Sequence, residues 1–246
     1  MNDQRREILS QVAAGTITAE EGAARLEALG AGPSPAPATP SQGGVKQVKI
    51  ISRLGNTDVI GDPSVSVAVA DGPHNVRQDG DTMLIEQSAF TDGGFEFTRR
   101  MGRTVIDALD RNLTVRVNPA LPLAVKVQAG NVRIGGVDGP LTAEVQAGNC
   151  VVTDFHAPIS LSVIAGNVEA SGQLDSGASS IKCRMGEVNV NLDRRSSVRI
   201  RTRNTMGEVA LDGDGITFTG NEARVGSGAG SLDIDCTMGS VRVAVK

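Results

Sequence analysis

Residues able to do chemistry are few and scattered in this chain. His74 and His156 are its two histidines, and neither has a second His or Cys at ligand spacing, so no zinc or iron site is expected. Cys150, Cys183 and Cys236 are odd in number and lack Cys-x-x-Cys spacing, which suggests neither a disulfide framework nor a zinc site. Asp212 and Asp214 stand in the Gly-rich stretch "LDGDGITFTG", where carboxylates can begin a calcium loop. The remaining EF-hand ligands and the nonapeptide of calcium-binding β-rolls do not follow, so the pair reads as a solvated turn. A Gly-x-Ser-x-Gly elbow, a phosphate-binding loop and a dinucleotide fingerprint do not occur either. The expectation is a protein that is not an enzyme, with no catalytic residue, metal ligand, cofactor or small-molecule substrate.

One charged constellation stands out. Lys182, Arg184, Arg199, Arg201 and Arg203 alternate with smaller or apolar residues, and Arg194 and Arg195 fill the connection between the two runs. Strand alternation projects these charges outward on neighbouring layers. Such a face could hold anionic lipid headgroups or an acidic protein, or it could simply keep a strand edge soluble. Nucleic acid is disfavoured, because no aromatic side chains interleave to stack bases. The formal net charge of -4, from 24 basic and 28 acidic residues, also argues against a surface that is basic throughout.

The elements that would carry these residues repeat. Gly130, Gly148, Gly166, Gly186, Gly207 and Gly239 head similar segments, such as "LAVKVQAGNVRI" and "LTAEVQAGNCVV". Three residues before each glycine stand Val127, Val145, Val163, Cys183, Asn204 and Cys236, and one residue before stand Ala129, Ala147, Ala165, Met185, Met206 and Met238. Two residues after come Val132, Cys150, Val168, Val188, Val209 and Val241. Each unit is therefore strand, glycine corner, strand, with these columns expected to face inward and the cysteines packing as small hydrophobes. Asn204 is the polar exception, expected to mark a change in the stack. An antiparallel meander with Gly-Asn hairpin loops is the other architecture this pattern permits. Identity at equivalent positions favours a single-stranded β-solenoid, where like residues stack about 4.8 Å apart. With 30 Gly, no Trp, no Tyr and 5 Phe, the core should be thin and filled by Val, Ile, Leu and Ala.

Three regions follow. Residues 1–30 pattern as a short helical hairpin, with Ile8, Leu9 and Val12 on one helix and Leu26 and Leu29 on the next, opened by a capping box at Thr18–Glu21. Residues 31–44 are a Pro/Ala/Gly linker, and 45–246 form the β-repeat domain. The hairpin is too small to stand alone, so its apolar residues are candidate contacts for a partner or for self-association. From Phe90 to Asn112 the strand pattern breaks into an expected loop, with room for a short helix. No stretch of the 246 residues has the apolar length of a signal peptide core or a membrane-spanning helix, from which a soluble, cytoplasmic chain is expected.

The stretches "REILSQVAAGTITAEEGAARLEAL", "DTMLIEQ" and "LTVRVNPALPLAVKVQAGNVRIGGVDGPLTAEVQAGN" resemble the bacterial putative-adhesin, or toastrack, β-repeat family preceded by a SHOCT-like helical hairpin. The resemblance covers most of the chain and implies a structural or scaffold role, often beside envelope-stress systems, with no reaction and no catalytic residue. Three functions are thus in view: a scaffold recruiting a protein partner, a self-assembling polymer extended through its terminal strand "SVRVAVK", and a surface adhesin.

Overall fold

The computed structural model describes residues 44–87, 112–213, 215–219 and 222–246. The expected hairpin residues Ile8, Leu9, Val12, Leu26 and Leu29, the linker up to residue 43, and residues 90–111 of the expected loop lie outside the described residues. What is described is all-β: eighteen strands, mostly in parallel pairing.

Two parallel ladders run side by side. The first contains β1 (Gln47–Leu54), β5 (Thr82–Gln87), β7 (Leu123–Ala129), β9 (Leu141–Ala147) and β11 (Ile159–Ala165). The second contains β2 (Asn56–Gly61), β6 (Asn112–Val117), β8 (Val132–Val137), β10 (Cys150–Phe155) and β12 (Val168–Gly172). Two long strands, β13 (Ala178–Leu192) and β18 (Gly230–Val245), pass through both ladders, while β14 (Val198–Met206) and β15 (Val209–Gly213) close one end. Parallel pairing between repeats excludes the antiparallel meander.

The columns read from sequence stack as expected. Val127 opposes Val145, Val145 opposes Val163, Val163 opposes Cys183 and Cys183 opposes Cys236. These side chains join those of the second ladder in one core of Val, Ile, Leu, Ala and Cys with Met83 and Phe155. All three cysteines are free and buried.

Sequence order is not stacking order. β18 lies between β13 and β14/β15, so the layer encoded last is next to last in space. The other end mirrors this: β1 and β2 pair with β7 and β8 on one side and with β5 and β6 on the other. "SVRVAVK" therefore does not end the stack, and the expected extension through that strand fails because both its edges are already paired. The described antiparallel pairings all involve the two end layers: β3 (Ala68–Asp71) on β6, β4 (His74–Asp79) on β5, β17 (Glu222–Val225) on β14, and β16 (Ile216–Thr219) on β17.

Candidate interaction surface

The corner between the ladders is built from glycine. Gly55, Gly130, Gly148, Gly166, Gly186, Gly239 and Gly207 stack in that order. From Gly130 onward, a Cβ on any of them would lie 1.7–1.9 Å from the carbonyl oxygen of its predecessor. Their φ values, +116 to +142°, are ones that side-chain-bearing residues rarely adopt.

Polar groups beside this column join the layers to one another. The backbone N–H of Asn149 donates to Oδ1 of Asn131 at 3.1 Å, that of Asn167 to Asn149 at 3.1 Å, and that of Glu187 to Asn167 at 3.0 Å. Asn56 accepts from Asn131 in the same way at 3.3 Å. A short side chain with an acceptor is what this position requires, which is why Gly-Asn recurs.

From Gly186 on, the columns change chemistry together: Ala gives way to Met, and Val to Cys or Asn. Cys183 Sγ donates to the Gly166 carbonyl at 3.7 Å, Cys236 Sγ to Gly186 at 3.9 Å, and Asn204 Nδ2 to Gly239 at 2.9 Å. The polar intruder thus does in the end layer what the thiols do inside. Burial pushes the Cys150 thiol up to about 12 and the Cys183 thiol up to about 11, so both stay neutral and inert at ordinary pH.

The column immediately before glycine departs from expectation. Alternation puts Ala129, Ala147, Ala165, Met185, Met206 and Met238 in the core, yet Met185 is 46%, Met238 43% and Met206 63% exposed. The chain turns within the single glycine that follows, and the buried valines on either side already fill the apex. The preceding side chain is left on the outside of the corner. Leu54, Ala129, Ala147, Ala165, Met185, Met238 and Met206 consequently form one ridge, each opposed in register to the next. Glycine spacing locates this column in the sequence; only the backbone conformation shows that it faces out.

The basic face is also rearranged. Lys182, Arg184, Arg199, Arg201 and Arg203 are all exposed, as expected, but β18 inserts an acidic strand among them. Asp235 lies between Lys182 and Arg203, and Asp233 between Ser180 and Arg201. Glu222 on β17 opposes Arg201 and forms an ion pair with it. Arg199, Arg201, Glu222, Ser231 and Asp233 line a groove of about 210 Å³, so its charge is mixed rather than basic.

Arg194 and Arg195 sit in the connection after β13. Arg195 is held by Asp193 (Nε to Oδ1, 3.0 Å; Nη2 to Oδ2, 3.1 Å), and hydrogen bonds from its side chain and backbone bring the Asp193 carboxyl down to about 2. Arg195 and Asp193 line a second, broader depression of 420 Å³ with His156 and Asp154. His156 Nδ1 lies 3.1 Å from Asp138 Oδ1, and His74 Nδ1 lies 2.7 Å from the Gly72 carbonyl oxygen. Among the described residues no group of three or more His, Cys, Asp or Glu could hold a metal ion. Asp214 is outside the described residues.

No family model matches the chain, and no curated protein matches it. Among solved structures it is similar to one described as a "putative cell adhesion protein" from Clostridium sporogenes, at 14% identity and a TM-score of 0.44, covering 82% of this chain and 94% of that one.

Proposed function

We propose that the chain is a non-enzymatic scaffold: a β-solenoid of the toastrack type whose rigid corner presents an apolar ridge to a protein partner, with the amino-terminal SHOCT-like hairpin as a tethered second contact. The observation that carries this reading is the run Met185, Met238 and Met206, three exposed methionines on adjacent layers. Methionine is flexible and polarisable, and its clustering on a surface suits adaptable apolar contacts. The glycine stack beneath supplies a fixed backbone, so the ridge is rigid in position and soft in its side chains. Within this reading the chain acts in the cytoplasm, and a connection to envelope stress is the setting suggested by the family resemblance.

A photoreactive residue replacing Met238 in the full chain, expressed in its native cell, tests the proposal against the same residue at Lys126, an outward position away from the ridge. A discrete crosslinked partner at Met238 and none at Lys126 is expected, with loss of the crosslink in Met185→Glu/Met206→Glu. Equal or absent crosslinking at the two sites would overturn the ridge. Deleting residues 1–44 should weaken capture while leaving the β-sheet circular dichroism unchanged; undiminished capture would remove the hairpin from the reading.

A further inference from the structure

The end layer formed by β14 and β15 is unfinished. Val209 is 41% exposed, whereas its column mates Val132, Cys150, Val168, Val188 and Val241 are at 0–1%. Leu211 is half-buried and packs against the core, whereas Ile134, Val152, Ala170, Val190 and Val243 are covered on both sides. Met206 and Phe218, at 63% and 60%, are the most exposed large apolar side chains among the described residues, and both belong to this end.

The backbone of β15 is unfinished in the same way. Its described pairing is with β18 alone. The Val241 N–H donates to the Glu208 carbonyl at 2.9 Å. In a parallel pair the residue that faces its neighbour alternates, so this bond fixes the phase: Ala210 and Asp212 turn their N–H and C=O groups to β18, and Val209 and Leu211 turn theirs away. The strand reads "VALDG", without the Lys or Pro that blunts an edge, whereas β4, at the opposite end, carries Arg77 and Asp79 on a largely exposed strand.

We propose that two copies of the chain pair antiparallel through β15, with Leu211 facing its own counterpart across a two-fold axis. In that register each Leu211 exchanges both backbone hydrogen bonds with the other. Val209 falls opposite the partner's Gly213, whose missing side chain leaves it room. The two cores become continuous on one face. On the other face the charges match. Ala210 opposes Arg242 within the chain and Asp212 opposes Ala244, and the antiparallel register places the partner's Asp212 beside Ala210. Arg242 can then reach across a small alanine to the partner's carboxylate, twice by symmetry. A two-fold pairing closes on itself, so a dimer rather than a filament results. The pairing rests on β15 and does not depend on what the methionine ridge or the hairpin binds.

The test measures association of the full chain by sedimentation, between about 1 and 100 µM, together with site-specific crosslinking. A dimer is expected. Leu211→Pro, whose lost N–H points away from β18, and Asp212→Arg should each weaken it by roughly tenfold or more. Asp212→Arg/Arg242→Asp should recover it. Leu211→Cys should form an interchain disulfide under mild oxidation, because hydrogen-bonded antiparallel partners have Cα atoms about 5.5 Å apart. Ala210→Cys, which faces the partner's Asp212, should not. Circular dichroism shows whether each variant is folded, and the exposed Asp212→Arg carries the test if Leu211→Pro does not fold. A monomer at 100 µM, a mass that keeps growing past the dimer, or association unchanged by the β15 variants would overturn the proposal.

Discussion

Replacing Gly148 with alanine places a methyl group 1.9 Å from the Gly130 carbonyl oxygen and 2.7 Å from its carbonyl carbon. Neither atom belongs to a flexible side chain, so the two layers must separate by about an ångström to restore contact distance. Two hydrogen bonds span that gap, Gly130 N–H to Ala147 O at 2.9 Å and Val132 N–H to Asn149 O at 2.8 Å. Stretching both costs about 1 kcal/mol each. A φ of +137° adds about 1–3 kcal/mol for a residue with a Cβ. The expected loss is therefore about 3–5 kcal/mol, a large part of the 5–15 kcal/mol typical of folded domains. Gly80 supplies the control, since its φ is +57° and nothing lies within 4 Å of the Cβ that alanine would add; Gly80→Ala should cost about 1–2 kcal/mol. Urea unfolding followed by circular dichroism compares the two. Equal losses would refute the stacked-glycine account, because backbone conformation alone would then explain both.

Asn149→Ala removes the acceptor for the Asn167 N–H and should cost about 1 kcal/mol in the same assay, while Asn149→Asp, which keeps an acceptor, should cost less. Asp193 has a folded pKa of about 2, below the ordinary carboxylate value, because Arg195 holds its charged form. Its stabilising effect is therefore complete above about pH 4 and lost as pH falls toward 2. Carboxyl NMR titration should show the depressed value in the native chain and a higher one in Arg195→Ala, still below the ordinary value because the backbone N–H of residue 195 continues to donate to Asp193. Cys150, Cys183 and Cys236 should resist maleimide at pH 8 until urea unfolds the domain; mass spectrometry showing a rapidly labelled thiol in the folded chain would contradict their burial.

The glycine corner and the buried columns were legible because a stack of parallel layers repeats its environment, and a repeated environment selects like residues. Gly55 belongs to the same column yet is easily missed, since "RLGNTDV" shares only Gly-Asn with its neighbours. Stacking order was not legible from chain order. The signal available was the shared Cys-x-Met-Gly of residues 183–186 and 236–239, against Asn-Thr-Met-Gly at 204–207: in-register neighbours resemble each other more than sequence neighbours do. The charge of the basic face depended on that order, because Asp233 and Asp235 neutralise it only when β18 lies between β13 and β14. Alternation also could not show the ridge, since the period of two ends where a glycine at φ near +140° begins the corner.

The exchanged layer order bears on how the stack comes apart. In a simple linear repeat the outermost unit peels away as a free tail and gains the full entropy of an unanchored chain. Here the outermost layer, β14 and β15, is held at one end by β13 and at the other by β18, both still packed. Its release yields a closed loop, whose ends remain fixed and whose disorder is correspondingly restricted. The same holds for β5 and β6 at the opposite end, held between β2 and β7. Each end of the stack is thus a looped stitch rather than a loose thread, anchored on both sides when it opens.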